Sequence, residues 1–288
     1  MKPKSECASC LLTWVCERAG VVTPEEGRLP LTNTLLEILS REFSSESNVG
    51  SLSNQLTSAS QDYLYQSSTY YQRLKRKNNQ VAKKLLGSAK NYIKKGMTAR
   101  EKFDRACHLA SASNVAPMGI PSEAFAFREV KSILKGRKPF PVIMGPVFQQ
   151  ARKASNVLYI ADNAGEIGFD SLLMACLKEM GSKIHLVVKE DPFFEDATTK
   201  DALFFSIDQL VDHLVTVNGF FVPNEIPPAL RDLFEKSDLI ISKGTGNYEA
   251  LKGEVEGKRV IYMLKVKCRP IAAEIGVNMG SFVVKLEK

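Results

Sequence analysis

Several signatures are absent from this 288-residue chain, and each absence removes a class of protein. No apolar run approaches the roughly 18 residues that a membrane helix needs, so no membrane-spanning helix and no membrane partner are expected. The start Met1-Lys2-Pro3-Lys4 resembles a secretory n-region, but Glu6 and Glu17 bracket the apolar segment behind it, and no small-residue cleavage site follows. An intracellular, cytoplasmic location is expected. There is no G-x-x-x-x-G-K-[ST], and Gly244-Thr245-Gly246 lacks the third glycine of a dinucleotide loop. No G-x-S-x-G elbow occurs. The three histidines, His108, His185 and His213, form no H-E-x-x-H, and packing rather than catalysis is expected of them. Cys7 and Cys10 make a CxxC with no second CxxC, so reduced thiols are expected rather than a disulfide framework. Cys16 or the Cys107-His108 pair would have to complete any zinc site. No internal repeat is visible.

Composition is that of an ordinary globular protein. The net charge of +7 sits in one place: residues 73 to 102 hold eleven Lys/Arg against one acid, Glu101, so the remainder of the chain is net negative. A solvated helix face is expected there, with a nucleic-acid or polyanion-binding module using residues 73–102 as the rival reading and nucleic acid the less expected partner.

Two regimes divide the chain. Residues 1–140 read as a helical subdomain, with helices at 5–20, 31–43, 63–93, 100–112 and 123–135. Ser44 to Ser60, rich in Ser, Asn and Gln, reads as a loop. Gly136 to Pro141 reads as a break. Residues 141–288 alternate strand and helix, with strands at 157–161, 184–189, 214–217, 238–242 and 260–264, and an edge strand at 282–285. Helices are expected at 168–180, 199–211 and 227–236. The expected fold is α/β: a mostly parallel sheet in an α/β/α sandwich, preceded by the helical subdomain.

Three strand exits carry polar groups: Asp162 and Asn163, then Asp196, then Lys243 and Gly244. Parallel strands bring such exits to one edge, where open α/β sheets bind ligands. Two carboxylates and an amide oxygen form a hard-oxygen set suited to a divalent ion, and Lys243 with the glycine-rich turn suits a phosphate oxygen. Taken singly, Asp162-Asn163 and Asp196 could each be a helix cap. Their occurrence at successive exits favours metal-assisted chemistry on a phosphate ester.

Asp162-Asn163-Ala164-Gly165-Glu166, Pro192 to Thr198 with Asp201-Ala202 following, and Lys243-Gly244-Thr245-Gly246-Asn247-Tyr248-Glu249 together resemble the damage-control phosphatase family, formerly domain of unknown function eighty-nine. Cys7-x-x-Cys10 resembles its branch with archaeal members, and Leu264 to Cys268 its last motif. The resemblance implies removal of phosphate from small phosphorylated metabolites such as sugar phosphates, dependent on a divalent ion (Mn, Ni, Co or Mg). By motif position it implies Asp162, Asn163 and Asp196 as metal ligands, and Lys243, Gly244, Asn247, Asn114 and Lys267 around phosphate or substrate. Asp162, Asp196 and Lys243 would carry the catalysis, and Glu166 would support them. Glu195 stands where an asparagine is common, and Ala116 to Met118 lack an aspartate often seen after Asn114. An adenosylmethionine-dependent carboxyl methyltransferase is the rival activity.

Overall fold

In the computed structural model, which describes residues 1–64, 69–137, 141–190 and 193–288, seven strands form one sheet in the order β1-β7-β6-β5-β2-β3-β4. The strands are β1 (Val142–Met144), β2 (Asn156–Ile160), β3 (Lys183–Lys189), β4 (His213–Val217), β5 (Leu239–Lys243), β6 (Val260–Lys265) and β7 (Phe282–Glu287). β2 through β6 run parallel, β7 runs antiparallel to β6, and β1 lies parallel to β7. The α/β fold with a mostly parallel sheet is therefore observed. Its central strands are near-continuous apolar runs because both faces are covered.

The covering helices come from both regimes of the chain. α1 (Ser5–Gly20), α2 (Glu25–Glu42) and α3 (Val49–Ser60) lie on one face, where Leu11, Leu35 and Leu56 share a core with Leu158, Ile160 and Ile240. α4 (Tyr70–Lys94), α5 (Ala99–Ala112), α6 (Arg128–Leu134), α7 (Val147–Lys153) and α8 (Glu166–Glu179) build the other core. There Phe103, Phe127 and Phe169 meet Tyr159, Leu186 and Ile241. The alternation of inward residues along β2, with Val157 and Tyr159 to one core and Leu158 and Ile160 to the other, follows from the period of two in a strand. α9 (Thr199–Phe204), α10 (Pro228–Lys236), α11 (Thr245–Leu251) and α12 (Arg269–Ile275) complete the described helices of the α type.

Several local expectations change. Residues 49–60, read as loop, form α3: Asn48 caps it by accepting from the Gly50 and Ser51 amides, and Ser53 and Thr57 bond back to the carbonyls of Val49 and Ser53. Small polar residues that satisfy themselves in this way can face a core, which hid the helical period. The helix expected over 123–135 begins only at Arg128, behind Phe127 in the left-handed region at φ 45°. The helix expected to start at Tyr63 starts at Tyr70, with a 3-10 turn at Gln61–Tyr63. The one expected over 199–211 ends at Phe204 and resumes as a 3-10 turn at Ile207–Gln209. β7 is not an edge strand; β1, unexpected, covers it. The expected boundary at 140/141 and Pro192 of the second motif fall on or beside positions outside the described residues. Among the described residues no helix is long and apolar enough to cross a membrane.

Candidate active site

β2 is flanked by β5 on one side and β3 on the other, so the order of connection reverses beside it. This switch point opens a crevice at the carboxyl ends of the strands. Asp162 and Asn163 leave β2, Asp196 leaves β3, Lys243 and Gly244 end β5, and Lys267 follows β6. The loop after β3 is stitched down by Ala197 N–H to Asp162 O (2.7 Å), Ala164 N–H to Glu195 O (3.0 Å) and Lys189 N–H to Ala197 O (2.8 Å). Asp196 is thereby held opposite Asn163, the two forming an isolated antiparallel bridge.

A cleft of about 910 Å³, counted with its open mouth, has Asp162, Asn163 and Asp196 in its lining. Lys267, Thr245, Gly246 and Glu249 line it too, and Trp14 and Phe220 give it an aromatic wall. Asp162 Oδ2 accepts from Asn114 Nδ2 and Asn163 Nδ2, both at 2.7 Å. The same two amides donate to Glu166, at 2.9 and 3.1 Å. Asn163 thus turns its nitrogen inward, and its oxygen is the atom left for a cation. Asp196 Oδ2 is buried without a hydrogen bond, and Lys189 Nζ stands 3.7 Å away. Such an orphaned carboxylate oxygen beside a second carboxylate fits a cation. Among the described residues no three of His, Cys, Asp and Glu are grouped to hold a metal ion.

Behind this surface lies a buried charge network. Lys243, completely buried, donates to Asp170 at 2.7 Å and lies 3.7 Å from Glu166. Burial works to lower the Lys243 pKa, but the two carboxylates outweigh it and leave it raised. Burial pushes Glu166 up to about 8 despite Lys243, and pushes Asp170 up as well. Burial also raises Asp196 and lowers Lys189. Glu249, in the cleft lining, is raised to about 7 by burial, opposed by the chain's amino terminus and Lys267.

The residues expected around phosphate therefore separate into two groups. Lys267 is in the cleft lining. Lys243, Asn114 and Asn247 are buried and committed elsewhere: Asn114 Oδ1 accepts from Lys265 N–H, and Asn247 Nδ2 donates to the carbonyls of Ala161 and Lys243. Gly244, at φ 81°, passes so close to Asp162 that a Cβ would overlap its carboxylate. The glycine-rich turn after Lys243 passes directly into the helix α11, which begins at Thr245.

Sequence reasoning missed Lys189, Asp170 and Arg18. Lys189 reads as an ordinary strand-end lysine, yet it is buried, donates to Gly219 O at 2.9 Å and lies 4.5 Å from the Phe220 ring centre. Arg18 holds Glu195 through two nitrogens at 2.6 and 3.0 Å, and donates to the carbonyls of Met118 and Pro117. The two departures from the family pattern, at Glu195 and at 116–118, are thus joined through one guanidinium. The period of α8 could have exposed Asp170, one turn after Glu166 on an otherwise apolar helix. All six cysteines are free thiols; Cys7 and Cys10 line the cleft with Cys268, while Cys107 is buried in α5.

Fold and site together define an α/β protein with a carboxylate–amide pocket at the switch point of a mostly parallel sheet. The chain belongs to the damage-control phosphatase ARMT1-like domain family, whose model matches residues 4–283. It is 31% identical to a damage-control phosphatase of Archaeoglobus fulgidus, over 99% of both chains. It is 30% identical to an uncharacterized protein of Methanocaldococcus jannaschii, over 99% of this chain and 95% of that one. A crystal structure of a DUF89 family protein from Pyrococcus horikoshii superposes with a TM-score of 0.82 at 23% identity, covering all of both chains. Family membership supports a phosphatase role.

Proposed function

We propose that the protein is a divalent-metal-dependent phosphatase acting on small phosphorylated metabolites, sugar phosphates among them. The observation that carries the reading is the buried Asp196 Oδ2 without a hydrogen bond, lining one cleft with Asp162 and Asn163. Asp162, Asp196 and the Asn163 oxygen would hold the ion, with manganese or magnesium matching the hard-oxygen donors and nickel or cobalt the further ions that the family resemblance implies. When bound, the ion supplies Lewis acidity toward a phosphoryl oxygen and lowers the pKa of coordinated water.

The chain's own groups do the rest. Asn114 and Asn163 orient the Asp162 carboxylate by donating to Oδ2, and Glu166 orients both amides in turn. Lys267 is the cleft-lining lysine that can offset charge on a phosphoryl group. Lys243 acts at one remove, as the buried cation that opposes the burial penalty on Glu166 and Asp170. Trp14 and Phe220 wall off the organic part of the ester. The test is an assay on a phosphate-ester panel after chelation, with each ion then restored singly. Phosphate release that is indifferent to chelation overturns the reading.

A further inference from the structure

The basic segment takes no part in this chemistry. α4 carries eight Lys/Arg and no Asp or Glu across 25 residues, a length of about 37 Å at 1.5 Å per residue. One of them, Lys75, turns inward to Thr198 and Asp201. At about 100° per residue, Arg73, Lys77 and Lys84 fall within roughly 40° of one another, and Arg76, Lys83, Lys90 and Lys94 flank them, so that all seven lie on an arc of about 140°. Every one is exposed, while Leu74, Asn78, Ala82, Ala89 and Ile93 on the opposite side are buried. The helix packs through that side against α8 and α5.

A merely solvated face interleaves its charges, as α2 and α10 do with the pairs Arg28–Glu25 and Lys236–Asp232. On α4, among the described residues, none of the arc's cations pairs with a carboxylate; Arg73 donates to Thr69, and Lys83 lies over the Phe204 ring. Arg73 with Lys77, and Lys90 with Lys94, are like charges at i and i+4, which repel. The residues between them on the exposed side are Gln72, Gln80, Gly87, Ser88 and Asn91. No large apolar side chain of α4 is exposed, so the helix has nothing to bury in a bilayer. No exposed aromatic ring stands on the arc to stack unpaired bases. What remains is a row of exposed cations along one helix face with hydrogen-bonding neighbours, complementary to a row of phosphates.

We propose that the exposed face of α4 docks on the phosphate backbone of a nucleic-acid duplex. Binding is sequence-independent and separate from the phosphatase site, so Asp196→Ala leaves it intact. The test is fluorescence anisotropy of the full chain with DNA and RNA duplexes of about 20 base pairs, their single strands, and phosphatidylserine vesicles, across a sodium chloride series. Contact with four to six phosphates gives a slope of about −4 to −5 in log K against log salt. Lys77→Glu with Lys84→Glu and Lys90→Glu should weaken duplex binding at least tenfold, and the glutamine triple should flatten the slope by about 3. Arg231→Glu on α10 should change neither, and a thermal melt confirms that each variant is folded. Binding to either duplex with this response supports the proposal. No duplex binding at low salt, equal loss from Arg231→Glu, or preference for single strands or vesicles overturns it.

Discussion

Gly244 and Asp162 occupy each other's space: the Asp162 carboxylate fills the place where a Cβ on residue 244 would stand, and Gly244 takes a φ of 81° that L side chains rarely adopt. Two constraints from different causes thus meet at one glycine. Gly244→Ala should displace the carboxylate and cost about 1–3 kcal/mol in backbone strain. Phosphate release should fall more than tenfold. Urea unfolding and a steady-state assay check the pair of effects, and a variant with wild-type turnover would show that Asp162 need not sit where it does.

Asn114 touches the site through Asp162 and Glu166. Asn114→Ala removes a donor from both carboxylates, and Asn114→Asp replaces it with an acceptor. Both should weaken divalent-ion binding about 10- to 100-fold, the range for losing a group that orients a ligand. Titration calorimetry with manganese reads this without turnover. Unchanged affinity would make Asn114 a packing residue only.

Lys243 and Lys267 should separate under substitution. Lys243→Met leaves Asp170 and Glu166 buried without their cation and should cost about 3–5 kcal/mol of stability. Lys267→Met, at the half-buried cleft wall, should leave stability within about 0.5 kcal/mol and raise KM for the ester. If both variants melt alike, the buried network is not what Lys243 serves.

His185 and His213 face each other with Nδ1 atoms 2.9 Å apart, a contact that needs one ring nitrogen to be unprotonated. Burial, then the neighbouring His213, lowers the His185 pKa, and burial lowers that of His108. A histidine depressed in the folded state binds fewer protons there than in the unfolded chain. Its stabilising share is therefore present above the unfolded value of about 6.5 and is lost as pH falls through the folded one. The melting temperature should fall as pH drops below about 6.5, and His185→Gln should flatten that limb. A variant with the wild-type pH profile would assign the loss elsewhere.

The core of the fold was legible where one physical signal dominated. β2, β3, β5 and β6 showed as apolar runs because both their faces are covered, and Asp162, Asn163 and Asp196 stood out as polar groups directly after such runs. α3 was hidden because Ser53 and Thr57 bury hydroxyls satisfied by their own helix, which no apolar period reveals. β1 was hidden because three residues carry no period, and the adjoining helix α7 is short.

By itself the sequence determined the run of strands from β2 to β6, the polar groups at the strand exits and the concentration of positive charge in one helix. These follow from local spacing and composition. Only the tertiary structure decided which of those groups reach the cleft. Lys267 came to its wall, while Lys243 was turned inward onto Asp170 and Glu166. Lys189 was drawn to Asp196, and Arg18 was joined to Glu195 across 177 positions. Burial and pairing of charges depend on what the other layers bring near, and that information is spread over the whole chain rather than held at any one motif.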